Sequence, residues 1–187
     1  MYDDPSEGRT AFLQVRAQGD SFPGCVEKTW GGGAEDGEPL SQAICREYRE
    51  ELAEVLRRAL GDAPVPDALA ALQKTETAAD PETADTADEH PGAYALRRLN
   101  ILREEGKKLI VTLLCEIRDP ALAQALQPLV ERGVLLALRS EDLPRLEPIN
   151  RDHKKDGLPK ELREQGKLGM FPDEIEAVRS ALETPGA

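Results

Sequence analysis

The chain has 187 residues, 40% of them apolar and 32% charged, and a formal net charge of −12, which fits one soluble domain long enough to bury a core. The acidic balance excludes a nucleic-acid backbone as the main partner, because a polyanion needs a basic face, and no apolar run approaches the ~20 residues that span a bilayer. The N-terminal MYDDPSEGRT lacks the basic start and apolar core of a secretory signal, so the cytoplasm is the expected compartment. Cys25, Cys45 and Cys115 are an odd number at unrelated spacings, and His90 and His153 are the only imidazoles. No zinc-type cluster assembles from these, and buried free thiols are expected.

In chain order, TAFLQVRA at 10–17 predicts a short strand and CVEKTW at 25–30 a second. Gly31, Gly32 and Gly33 then break regular structure. Pro39 at a first helical position and an apolar rhythm through Ile44, Tyr48, Leu52, Val55 and Ala59 predict a helix over 39–60, stopped by Gly61-Asp62. The composition changes after it. DAPVPDALAALQKT holds room for one short helix, and about 75–92 reads as a mobile acidic insertion, rich in Thr, Ala and Asp.

Strands are predicted again at YALRRLNIL and at 107–117, KKLIVTLLCEI, the latter a continuous apolar run suited to a sheet covered on both faces. A helix follows over 120–133 with Gly133 past its end, then a buried strand, VLLALR, over 134–139. Ser140 is the expected N-cap of a short turn of helix. NRDHKKDGLPKELREQGK reads as a basic, irregular and flexible stretch. FPDEIEAVRSAL predicts an amphipathic helix with Ile175, Val178 and Leu182 on one face. Interleaved strands and helices give an α/β class with a mixed sheet flanked by helices.

The 39–60 helix carries the chemistry. At roughly 100° per residue its apolar stripe falls opposite Glu47, Glu50, Glu51 and Glu54. Like charges three and four apart repel by a few tenths of a kcal/mol per pair unless a cation stands among them. Arg46, Arg49, Arg57 and Arg58 offer some relief; Mg²⁺, which takes carboxylate oxygens and keeps waters for substrate phosphate, offers more. From Gly32, five residues lead to Glu38, seven more to Arg46-Glu47, then Tyr48, Arg49 and Glu50-Glu51.

This register resembles the Nudix box, with Gly32, Glu38, Arg46, Glu47, Glu50 and Glu51 matching its fixed positions and Tyr48 its apolar one. Ala53 and Glu54 depart from the box's glycine and apolar residue, and suggest that the helix runs on to Gly61. Trp30 stands where relatives often have proline. The N-terminus is short: only about nine residues precede the first predicted strand, where the family usually has another. A truncated gene product or a shortened sheet would account for that.

The resemblance implies a single Nudix domain over 1–187, an α/β/α sandwich, and hydrolysis of a nucleoside diphosphate linked to another moiety. It implies Mg²⁺ or Mn²⁺ on Glu47, Glu50 and Glu51, with a carbonyl near Gly32 as a further ligand. Arg46 orients a box carboxylate, and Glu38 braces the loop. Trp30, Gly31 and Gly33 are candidates for substrate contact, and Tyr94 is a second aromatic that could stack on a base. The general base is one of the box glutamates or one of Glu104, Glu105, Glu116, Glu141 and Glu147. Arg151, His153, Lys154, Lys155 and Lys160 are candidates to meet phosphates, and His90 has no assigned role. A small nucleotide-type diphosphate is the expected partner, and a homodimer is an assembly such enzymes frequently form. Two other readings stand beside this one: a Nudix-fold binding module without turnover, and a helical interaction protein with a solvated acidic face.

Overall fold

A computed structural model describes residues 1–4, 6, 8–27, 38, 40–67, 69–70, 94–104 and 108–183. The chain divides into two compact units, Met1–Tyr2 with Trp30–Gln127, and Asp3–Thr29 with Pro128–Ala187. The acidic segment at 75–92 lies outside the described residues.

The first unit is organised by a 21-residue helix, α1 (Leu40–Leu60). Its interior has no glycine or proline and is rich in Leu, Ala, Arg and Glu, all strong helix formers. Leu52, Val55, Leu56 and Ala59 are buried, whereas Arg49, Glu50, Ala53, Glu54 and Arg57 are exposed. Burial of each large apolar side chain stabilises the fold by about 1.5–3 kcal/mol, so the leucine-valine stripe sets the rotation of the helix about its axis. Gly61 ends it in the left-handed region at φ 56, donating its N–H to the Arg57 carbonyl at 3.1 Å. Just beyond Pro66 a helical turn seats Leu69, fully buried, in the position expected for the short helix.

The sheet of this unit is mixed. β4 (Tyr94–Glu104) and β5 (Lys108–Ile117) form a long antiparallel hairpin, from Tyr94 opposite Ile117 to Glu104 opposite Lys108, with an irregularity between Arg98 and Asn100. The chain's first strand, β1 (Tyr2–Asp4), pairs in parallel with β5 through Tyr2 and Ile117. This corrects the expectation that the first strand begins near residue 10. β1 has no apolar alternation, and it is fixed by backbone bonds such as Ile117 N–H to the Met1 carbonyl.

In the second unit β2 (Gly8–Val15) lies between β3 (Val26–Glu27) and β6 (Leu135–Leu138), antiparallel to both. Thr10 to Gln14 are buried without interruption, as in a strand covered on both faces. The second helix, α2 (Pro120–Glu131), has its residues up to Gln127 in the first unit and its last turn in the second, and it ends as expected before Gly133, whose φ of 69 turns the chain into β6. A 3₁₀ turn over Ser140–Arg145 follows, and here the expected cap is corrected. Ser140 lies inside the turn, and the Asp142 carboxylate accepts the Arg139 N–H at 3.1 Å.

The basic stretch is also corrected: it is built, not irregular. β7 (Leu146–Pro148) pairs in parallel with β8 (Leu168–Met170). Between them come a 3₁₀ turn at Arg151–Lys154 and a short helix, α3 (Lys160–Glu164). Cys25, Ile149 and Leu158 form a small buried cluster, flanked by Phe22, Leu162 and Phe171. The Phe22 and Phe171 rings meet edge to face with centroids 5.0 Å apart. In the last helix, α4 (Pro172–Glu183), Ile175, Ala181 and Leu182 are buried and Val178 half-buried, as the periodicity required. Among the described residues no helix is long and apolar enough to cross a membrane.

Candidate functional site

The helical backbone from Leu40 to Leu60 carries Glu47, Glu50 and Glu51 at positions i, i+3 and i+4, the spacing that brings side chains onto one helix face. Arg46, one residue ahead, organises what surrounds them. Its Nε and Nη2 donate to the two oxygens of Glu38 at 3.0 and 2.9 Å, a fork-on-fork pair across the segment that leads into the helix. Such a pair is stronger than a point contact because both partners are planar and matched. Nη1, on the other edge of the guanidinium, stands 3.6 Å from Glu50 Oε2. The Glu38 and Arg46 side chains are 15% and 26% exposed, Glu50 64%. The guanidinium is thus clamped from the sheltered side and looks out over an exposed carboxylate.

Glu51, next along, is half-buried, which corrects its expected place opposite the apolar stripe: it stands four residues before the buried Val55, on the flank of that stripe. Glu54, which breaks the box pattern, is engaged elsewhere. Arg57 donates to both its oxygens, at 2.9 and 2.6 Å, and this bond holds the Glu54 carboxyl below the usual carboxylate range. The helix running on past Ala53 supplies that partner three residues later, so Glu54 belongs to the helix's own charge ladder.

Of the other predicted residues, Trp30, Gly31, Gly32 and Gly33 lie outside the described residues, as do Glu105 and His90. So do the side chains of Cys45, Glu47, Tyr48, Tyr94, Glu104, Cys115 and Arg151. Cys25 is a free, buried thiol, and burial pushes its pKa up. Glu116 is half-buried and Glu141 exposed. Glu147, in the second unit, pairs with Lys167 at 2.8 Å, a partnership that no short-range spacing announces. In the basic stretch Lys160 pairs with Glu164 at 3.5 Å, and His153 Nδ1 accepts the Asn150 N–H at 3.0 Å. Lys154 and Lys155 are exposed.

Among the described residues no three of His, Cys, Asp and Glu stand together as a metal cluster; the Glu47 side chain is outside that set. The donor chemistry nevertheless suits a hard divalent cation: carboxylate oxygens on a rigid helix, one of them exposed. A cationic guanidinium already stands beside Glu50, so this ridge accommodates positive charge at that position. Compared with known proteins, the chain matches no family model, no curated protein and no solved structure.

Proposed function

We propose that this protein is a Nudix-type pyrophosphohydrolase, which adds water across the diphosphate of a nucleoside diphosphate linked to another moiety. The observation that carries the reading is the Arg46 fork. In the box register Glu38 and Arg46 lie eight residues apart, and their two hydrogen bonds tie the segment before α1 to the first turns of the helix. The α/β class with both parallel and antiparallel pairing supports the α/β/α sandwich of that family.

In this reading Glu47, Glu50 and Glu51 hold Mg²⁺ or Mn²⁺, with a carbonyl near Gly32 as a further ligand. An ion held by these carboxylates would supply charge neutralisation of the diphosphate and Lewis-acid activation of the attacking water. The chain's own part is positional. Glu38 fixes Arg46, and Arg46 sets the direction of Glu50. The half-buried Glu51 is more confined than Glu50 and is suited to hold a fixed orientation toward the attacking water. Water's oxygen bonds to phosphorus, the bridging P–O bond breaks, and the water proton passes to a carboxylate, one of the box glutamates or a residue outside it. Trp30, Gly31 and Gly33 would stand near the substrate, and the cytoplasm is the matching compartment.

The test is a screen of ADP-ribose, dinucleotide cofactors, nucleotide sugars and oxidised nucleoside triphosphates with Mg²⁺ or Mn²⁺. Cleavage of at least one, abolished by EDTA and restored by added metal, is expected. Robust turnover in EDTA would refute the mechanism. The unbroken run of α1 to Leu60 favours a second reading, a Nudix-fold module that binds a diphosphate without turning it over. Ligand-induced thermal stabilisation with no product across the same panel would select it.

A further inference from the structure

We infer that the turn at 21–24 is a strained latch, which parts from the 154–158 segment without unfolding of the rest of its unit and uncovers the cluster around Cys25. The observation beneath it is Phe22. Its φ of 60 puts a bulky side chain in the left-handed region, where among the described residues no other non-glycine residue stands. Such a backbone is unfavourable by itself and persists only where surrounding contacts outweigh it. Those contacts lie along a short seam. The Phe22 N–H donates to the Lys154 carbonyl at 2.7 Å, and its ring meets that of Phe171 edge to face. The Pro23 carbonyl packs so closely on Gly157 that no Cβ fits between them.

Each side of the seam has its own supports. On one side the Cys25 N–H donates to the Phe22 carbonyl at 3.2 Å, the Gly24 N–H to the Arg16 carbonyl at 3.1 Å, and Arg16 Nη1 to the Ser21 carbonyl at 3.1 Å. On the other, the Asn150 side chain caps the 3₁₀ turn by accepting the Asp152 N–H at 2.9 Å, and the Gly157 N–H donates to the His153 carbonyl at 2.9 Å. Parting them therefore costs chiefly the seam contacts and returns the strain at Phe22. A small contact between self-supported turns, opposed by backbone strain, opens at a lower free energy than the whole unit. Behind it lie Cys25, Ile149 and Leu158, with the thiol sulfur 3.8 Å from where a Gly157 Cβ would stand.

Iodoacetamide labelling of the full chain in low urea, with Cys25 resolved from Cys45 and Cys115 by mass spectrometry, reads the opening. Cys25 is expected to label through a step whose urea dependence is less than about half that of global unfolding. The strain is read from the sign of a comparison. Phe22→Gly and Phe22→Ala both lose the ring and differ by one Cβ. At an ordinary φ the glycine variant would open more readily, because its released chain is freer. At this position the order should reverse, with Cys25 in Phe22→Gly labelling about two- to tenfold more slowly than in Phe22→Ala. Wild-type labelling that tracks global unfolding overturns the inference, as does labelling in Phe22→Gly as fast as in Phe22→Ala or faster. If either variant does not fold, the wild-type urea dependence decides alone.

Discussion

Gly157→Ala is the substitution whose cost the fold defines most sharply. Gly157 sits at φ +67, where an L side chain costs about 1–2 kcal/mol from backbone strain alone. A Cβ built there is driven into the Pro23 carbonyl oxygen, a backbone atom that no rotamer change can withdraw. Relief requires moving the Ser21–Gly24 turn, which is held by Phe22 N–H donating to the Lys154 carbonyl at 2.7 Å and by the Phe22–Phe171 ring contact. Loss of that hydrogen bond and ring pair adds about 1–3 kcal/mol, for a total near 2–5 kcal/mol. Gly166 is the control: its φ is +73, but nothing lies within 4 Å of a Cβ, so Gly166→Ala should cost only the backbone term. Urea unfolding of both variants measures the difference, and alkylation of Cys25 mapped by mass spectrometry should accelerate in Gly157→Ala because Cys25 Sγ lies 3.8 Å from the same built atom. Equal destabilisation by the two substitutions would refute the close approach.

Three further outcomes are expected. Leu52→Ala, at a position with no solvent exposure on the buried stripe of α1, should destabilise by about 2–5 kcal/mol in urea unfolding. Burial opposes ionisation of Asp142, but its bonds from Arg145 and the Arg139 N–H outweigh that and hold its carboxyl below the usual range. Its folded pKa is depressed, so its contribution is present above the ordinary carboxylate range and lost as pH falls through the folded value; Asp142→Asn should flatten the acid limb of a stability–pH curve. Lys167→Met removes the pair with Glu147 and the bond to the Pro144 carbonyl at 3.0 Å, and should lower stability by no more than about 1 kcal/mol, screened further by salt.

How legible each part was in the sequence follows from the range of the forces involved. α1 could be read because its apolar side recurs at helical spacing, and Leu52, Val55 and Ala59 lie buried where that spacing put them. The sequence led to the expectation that Arg46 pairs with a box carboxylate, whereas its bidentate bond to Glu38, eight residues earlier, is visible only in the fold. β1 left no pattern: Tyr2–Asp4 is held by main-chain bonds to a strand more than a hundred residues away, and backbone pairing writes nothing into side chains. The 147–170 segment misled for a related reason. Its charges stand outward, while its order comes from Ile149 and Leu158 on Cys25 and from Gly169, where a Cβ would meet Cys25 Sγ and Ile149 Cγ2 at 2.7 Å. Two scattered apolar residues and a glycine are a weak local signal but a well-defined packing site. Ser140 is not the cap because the 3₁₀ turn begins at Ser140 itself, which puts Arg139 in the cap position and lets Asp142 accept the Arg139 N–H.

The most direct measurement of the proposed function compares Glu51→Gln with Glu54→Gln on a diphosphate that the screen finds the wild-type protein to cleave, at matched folded fraction. Glu51 lies in the box register, whereas Glu54 is already held by Arg57. Loss of about 100-fold or more in kcat for Glu51→Gln, with Glu54→Gln close to wild type, is the predicted result. Comparable activity in both variants, or equal loss in both, would contradict a catalytic centre built on that register.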